Sequence, residues 1–279
     1  MSAVTLGLLL AFLFQGLLLA LLVGVGLLLP KSVLGEPARA VVNWLPPFLG
    51  GAALRDWAAR NAEQVAQERL AGQRTGKTAG LLAKEMEEAA MQAMLPLLEG
   101  TDLDRIVACP EAGQGLIGVT APEALAIAAH IRKHKSRAEQ ERIYELAVVN
   151  AKRIASRAPG DPTPPPCALQ GADHVCCTFA LRPLRCRPLH ARSIAETFSQ
   201  RKATTPQPQP GAPEAPRHEE IVAQGIEDGM KRALKSAGLD AKMYELNSAL
   251  ATALGIPDAA ERWARGEDVF RHGIGGSLA

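Results

Sequence analysis

Residues 120–156 read TAPEALAIAAHIRKHKSRAEQERIYELAVVNAKRIAS, and this stretch decides the fold class. Thr120 is a good N-cap, Glu123 can bond back to the amide of the cap, and proline is accepted in a first helical turn. The residues that follow are rich in Ala, Leu, Glu and Arg, whose side chains lose little rotamer freedom in a helix. The stretch therefore predicts a helix that begins after Thr120 and runs to about Ser156.

The same composition extends over most of the chain. Aromatic residues make up only 4% of it, and alternating runs of Val, Ile and Thr, which strands require, are nearly absent. Spacing and glycine punctuation predict further helices at 54–98 (interrupted near 72–80), 219–237, 241–254 and 257–265. We expect a mainly α protein.

Two features argue against binding of nucleotides or nucleic acids. The chain has a net charge of only +2, so no strong field attracts a nucleic acid. Gly72 to Thr78 resembles a phosphate-binding loop, but it has three residues between its glycines rather than four, and no apolar strand precedes it. We expect an interhelical turn there.

The N-terminus carries one long apolar stretch, Leu6 to Leu29, which only Gln15 interrupts. A helix of 24 residues spans roughly 36 Å, more than the ~30 Å hydrocarbon core of a bilayer. A cleaved signal peptide with Ala38 to Ala40 as its cleavage site is the alternative. The stretch is longer than a signal core and no Lys or Arg precedes it, which favours a retained transmembrane helix.

Flanking charges predict how this anchor is oriented. Lys31, Arg39, Arg55 and Arg60 follow the apolar stretch, whereas only the α-amino group precedes it. The positive-inside rule therefore predicts a single-pass membrane protein whose soluble part lies in the cytoplasm.

Composition divides the rest of the chain. We expect an anchor at 1–30, a juxtamembrane and helical region at 31–104, a cysteine-containing domain at 105–203, a proline-rich linker at 204–216, a helical segment at 217–270 and a tail at 271–279 that is frayed from Ile274 onward.

Five cysteines are the chain's clearest chemical signal: Cys109, Cys167, Cys176, Cys177 and Cys186. Four of them fall within twenty residues. Thiolates suit Zn²⁺ and iron–sulfur centres, and four of them close a tetrahedral shell. The spacings match no standard zinc ribbon or ferredoxin pattern, so a metal site, disulfides and buried thiols all remain open from spacing alone.

Part of this segment resembles a known family. Residues 176–187 read Cys-x-x-Phe-x-x-Arg-Pro-x-x-Cys-Arg, which is similar to the frame Cys-x-x-Tyr-x-x-Arg-Pro-x-x-Cys-Arg of the YkgJ-type cysteine-cluster proteins, a zinc- or iron-chelating domain. Val119 to Glu123 and the stretch from Tyr244 to Phe270 resemble other parts of that family, so the likeness covers about 105–270. Cys177 is an extra thiol in this register.

The resemblance implies a metal site formed by Cys109, Cys167, Cys176 and Cys186, holding zinc or iron, including an iron–sulfur cluster. The chain departs from the family upstream, where Cys109 stands in place of several cysteines. That departure leaves a second hypothesis: a descendant that keeps the fold and has lost the metal. His174 and His190 are close enough in sequence to replace a missing ligand.

Three function classes follow. The first is a membrane-anchored, non-enzymatic metal-binding protein, and the second a metal-free structural or protein-interaction domain with an unknown protein partner. The third is an oxidoreductase that uses Cys176 and Cys177 or an iron–sulfur centre. No flavin or nicotinamide fingerprint and no catalytic set is visible in the sequence, so we expect no enzyme.

Overall fold

The structure is a computed structural model, and it describes residues 51–94, 116–157, 166–171, 175–186, 218–271, 273 and 277–278. The anchor at 6–29, Cys109, His174, His190 and the linker at 204–216 lie outside these ranges. Within them the chain is mainly helical, as predicted, with seven α-helices and three short strands. None of the helices in the described ranges is both long and apolar enough to cross a membrane.

The first two helices are α1, Gly51–Leu70, and α2, Thr78–Met94. The turn between them contains the glycine-rich stretch at 72–77, and the amide of Thr75 bonds the Thr78 hydroxyl at 2.8 Å. A helix rather than a strand leads into this stretch, so the prediction of an interhelical turn is confirmed.

The central stretch at 120–156 forms two helices, and the prediction of one continuous helix was wrong. After strand β1, Gly118–Thr120, helix α3 spans Ala121–His134 and helix α4 spans Arg137–Ala155. Ser136 accepts a hydrogen bond from the Glu139 amide, and the Glu139 carboxylate accepts from the amide of Ser136. This second capping box ends α3 and begins α4.

The basic turn at the end of α3 contacts another helix through Arg132. The Arg132 guanidinium donates to the carbonyls of Ala253, Leu254 and Ile256, at 2.6, 3.2 and 3.1 Å. It therefore satisfies carbonyls at the C-terminal end of another helix, where a cation is favourable.

The C-terminal part contains α5, His218–Ser236, strand β2, Met243–Glu245, α6, Leu246–Gly255, and α7, Ala259–Ala264. Strand β3, Ser277–Leu278, pairs antiparallel with β2, so the expectation of a frayed tail was wrong for these two residues. Backbone pairing makes this contact, and side-chain patterns do not signal it.

Helices α1 and α5 pack so closely that glycine is required at their crossing. A methyl group at Gly229 would overlap the Ala59 carbonyl oxygen, and one at Gly225 would lie 2.5 Å from the Arg55 carbonyl oxygen. The ion pairs Arg55–Asp228 and Arg232–Glu63, both at 2.6 Å, flank the contact. This helix pair joins the main core, whose largest fully buried side chains include Trp263 and Phe270.

A three-stranded antiparallel sheet in the order β1–β2–β3 ties distant parts of the chain together. Gly118 pairs with Glu245 and Thr120 with Met243. Helix α3 follows β1 directly and α6 follows β2 directly, so the antiparallel pairing places the two helix N-termini at opposite ends of this short strand pair. The cysteine-containing segment is bonded at both N-termini, by Glu123 of α3 and by Asn247 of α6.

Candidate metal-binding cysteine segment

The cysteine segment, defined as the described residues within 166–186, forms a small hairpin and a turn. Gln170 and Cys176 form an antiparallel bridge, the Gly171 amide bonds the Val175 carbonyl at 2.8 Å, and the Cys177 amide bonds the Leu169 carbonyl at 2.8 Å. A 3-10 turn follows at Phe179–Leu181. Local backbone bonds therefore set the positions of its thiols.

Two buried asparagines hold the start of the segment. Asn150 on α4 and Asn247 on α6 are only 3% and 4% exposed. Asn150 donates to the Pro166 carbonyl at 2.7 Å, and the Asn247 side-chain oxygen accepts from the Ala168 amide at 3.0 Å and from Asn150 at 3.3 Å. The backbone is thus fixed on both sides of Cys167.

The Asn247 amide is itself oriented by a buried carboxylate. Its nitrogen donates to Glu245 at 2.8 Å, and Glu245 also caps α6 by accepting from the Ser248 amide at 2.9 Å and the Ser248 hydroxyl at 3.1 Å. This fixes which end of the Asn247 amide faces Ala168.

Glu123 holds the end of the segment and is 7% exposed. One carboxylate oxygen accepts from the amide and the hydroxyl of Thr120, and the other from the Leu184 amide, all at 2.8 Å. The capping box predicted at Thr120 to Glu123 thus also binds the cysteine segment. Burial raises the pKa of Glu123, and its hydrogen bonds oppose that shift.

An ion pair adds a third attachment. Arg185 donates to both oxygens of Glu227 on α5, at 2.7 and 3.1 Å, and Lys231 approaches the same carboxylate at 3.4 Å. The Glu227 side chain is only 5% exposed, so this pair is partly shielded from water. The hydrogen bond from Glu227 raises the pKa of Arg185.

Arg182 of the Arg-Pro pair has a structural role. Its side chain donates to the Phe179 carbonyl at 3.1 Å, and its guanidinium lies 3.7 Å from the centroid of the Phe179 ring. The arginine and the aromatic residue of the family-like frame therefore contact each other, which shapes the turn before Cys186. Arg187 lies outside the described residues.

The described cysteines are all half-buried, and no disulfide joins any two of them. The Cys176 sulfur lies 3.6 Å from the hydroxyl of the buried Thr178, close enough for a hydrogen bond. Burial, and to a lesser extent the neighbouring Cys176, raise the pKa of the Cys177 thiol, while the cations of Lys135 and Arg142 oppose that shift.

Cys176 and Cys177 line an open cavity of about 530 Å³ between the hairpin and the start of helix α4. Lys135, Glu139 and Arg142, from the α3–α4 turn and the first turns of α4, form the opposite wall. The cavity thus brings two thiols and two cations together.

The predicted metal ligands are only partly brought together. Cys167 lies beside the asparagines, Cys176 lines the cavity, and Cys186 follows a turn in which its amide bonds the Pro183 carbonyl at 2.9 Å. In the described ranges, no three His, Cys, Asp or Glu side chains are grouped so that they could hold a metal ion. Cys109, the fourth predicted ligand, lies outside those ranges, and the four-thiolate site stays a prediction.

Sequence analysis missed the residues that position the segment, although one signal was present. Asn150 follows Ile143 and Ala147 at helical spacing, and all three are buried. A polar residue on an apolar helix face needs a hydrogen-bond partner from elsewhere in the fold. Asn247 and Glu227 give no such local indication, because their partners are 79 and 42 residues away.

Comparisons of the chain with protein-family models, with curated proteins and with solved structures give no match.

Proposed function

We propose that this chain is a membrane-anchored, non-enzymatic metal-binding protein of the YkgJ type, with Leu6 to Leu29 as its anchor and its soluble part in the cytoplasm. The metal is zinc or iron, the latter alone or in an iron–sulfur cluster. A reducing cytoplasm keeps thiols available as ligands. Cys109, Cys167, Cys176 and Cys186 would hold the metal.

One observation carries the proposal: buried polar side chains position the cysteine segment at both of its ends. Asn247 bonds the amide next to Cys167, and Glu123 bonds the Leu184 amide two residues before Cys186. Buried hydrogen bonds of this kind specify a backbone path, and ligands that are held by supporting hydrogen bonds are typical of metal sites.

The donor chemistry fits zinc or iron, since soft thiolates match these metals. Because Cys167, Cys176 and Cys186 are not grouped as three ligands in the described structure, the full shell requires the chain between the two fixed ends of the segment to shift when metal binds. Such coupling means that part of the binding energy appears as folding energy. When bound, a closed shell of four thiolates supplies structural stabilisation.

Elemental analysis of the full chain, purified anaerobically in detergent, tests this proposal. We expect zinc or iron in a stoichiometric amount, with visible absorbance if the metal is an iron–sulfur cluster. Cys176→Ser should lose the metal, whereas Cys177→Ser, which changes the adjacent thiol in the same cavity, should keep it. A chain without metal, all five of whose thiols react with a thiol reagent, would refute the proposal.

A second function, a metal-free structural or interaction domain, is supported by a different observation. The attachments that the described residues make to the segment use its backbone groups and the Arg185 side chain: Asn150, Asn247 and Glu123 bond backbone groups, and Glu227 bonds Arg185. The segment could therefore keep its conformation without metal. On this alternative, changing Cys176 and Cys186 together to Ser alters the unfolding midpoint little, whereas a structural metal predicts a large loss.

A further inference from the structure

The cavity beside Cys176 and Cys177 carries an excess of positive charge, because two cations, Lys135 and Arg142, line it together with one carboxylate, Glu139. The ammonium of Lys135 and the guanidinium of Arg142 form no hydrogen bond or ion pair with any described residue. The one carboxylate on the same wall, Glu139, accepts from the amide and the hydroxyl of Ser136, at 3.2 and 3.0 Å, and so caps α4.

The two cations act on the interior of the cavity. Both side chains line the same cavity as the thiols of Cys176 and Cys177, so their positive field acts inside it. In a concave site with protein walls, like charges reinforce each other more than they do on a convex helix surface. A cavity of about 530 Å³ also falls within the size range of small-molecule sites.

Two requirements define a ligand that fits this cavity. It must carry negative charge that pairs with Lys135 and Arg142. It must also contain an atom that the thiols of Cys176 and Cys177 can bind. An ordinary anion satisfies only the first requirement. A soft metal ion held by a small polycarboxylate satisfies both, because its carboxylates face the cations and its metal can exchange onto sulfur.

We propose that this cavity binds a small polycarboxylate anion and thereby receives metal as an anionic complex, next to Cys176 and Cys177. The proposal rests on the proposed metal-binding function and adds to it the chemical form in which the metal arrives.

Calorimetric titration of the full chain in detergent with citrate, at low ionic strength, tests the anion site. We expect saturable binding that weakens as salt is added, because screening reduces the attraction. Changing Lys135 and Arg142 together to Glu should weaken citrate binding tenfold or more. The matched control changes Lys152 and Arg153 to Glu. These two cations are exposed on helix α4 and lie outside the cavity, so this variant should bind citrate as the unmodified chain does.

The rate of zinc uptake tests the delivery step. Zinc–citrate should load the unmodified chain at least severalfold faster than it loads the Lys135→Glu, Arg142→Glu variant, while zinc chloride should load both at similar rates. Circular dichroism checks that the variants are folded. A milder pair, Lys135→Gln with Arg142→Gln, gives the same comparison if charge reversal prevents folding.

The outcomes separate the two proposals. Equal citrate affinity and equal loading in all variants would overturn the anion site and leave metal binding intact. Failure to take up zinc or iron from any source would overturn the proposed function, and an affinity for citrate that depends on Lys135 and Arg142 would then still support the anion site.

Discussion

Replacing Asn247 with Leu removes the link between helix α6 and the start of the cysteine segment. The substitution leaves the buried Ala168 amide without its acceptor at 3.0 Å, and it deletes the hydrogen bonds to Asn150 and Glu245. A buried unsatisfied donor costs about 1–3 kcal/mol, and each further lost hydrogen bond about 1 kcal/mol. Burial of the apolar leucine side chain offsets part of this free-energy cost, so we expect the free energy of unfolding to fall by about 2–4 kcal/mol.

Urea unfolding followed by circular dichroism measures this loss. With an m-value near the middle of the usual range of about 1–3 kcal/mol per M, the unfolding midpoint should fall by roughly 1–2 M. Cys167 lies between the two residues that the asparagines bond, so mass spectrometry should also find it alkylated faster by iodoacetamide in the native state.

Asn61→Leu is the matched control, because Asn61 makes one local bond, to the Trp57 carbonyl of its own helix, at 2.9 Å. We expect it to change stability by about 0.5 kcal/mol or less. If Asn247→Leu and Asn61→Leu unfold at the same urea concentration, or if Cys167 reacts equally fast in both, the asparagines do not hold the segment.

Two further predictions concern other contacts of the fold. Because burial raises the pKa of Glu123, the proton is bound more tightly in the native state. The stability of the unmodified chain relative to Glu123→Gln should thus be greatest below the unfolded pKa of about 4.5 and should decrease as pH rises through the raised value. Urea midpoints over a pH series check this, and a constant difference would contradict it. Gly229→Ala should cost about 1–3 kcal/mol, because its methyl group overlaps the Ala59 carbonyl and forces α1 and α5 apart. Thermal unfolding measures this, with Gly72→Ala, which meets no atom within 4 Å, as a control that should unfold at the original temperature.

The helical class was predictable because local rules decide it. Thr120 and Glu123 form the expected capping contact, and the glycines between α1 and α2 form the expected turn. The break at Ser136 was also within reach of the sequence. Ser136 and Glu139 repeat the same spacing, but the long run of helix-forming residues on both sides concealed the signal.

The strands and the attachments of the cysteine segment were not predictable in the same way. Strand β2 is three residues long, and its partners β1 and β3 come from distant parts of the chain, so no local periodicity marks it. Asn247 likewise bonds a backbone amide 79 residues away. Such contacts depend on how the helices pack, which a single sequence does not state.

X-ray absorption spectroscopy of the metal in the purified full-length chain tests the central claim most directly, because it reports which atoms bind the metal. The account predicts a first shell of sulfur atoms at about 2.3 Å, as thiolates give with zinc. Cys176→Ser should lose this shell, whereas Cys177→Ser should keep it. A first shell of only oxygen and nitrogen, or no bound metal at all, would contradict the account.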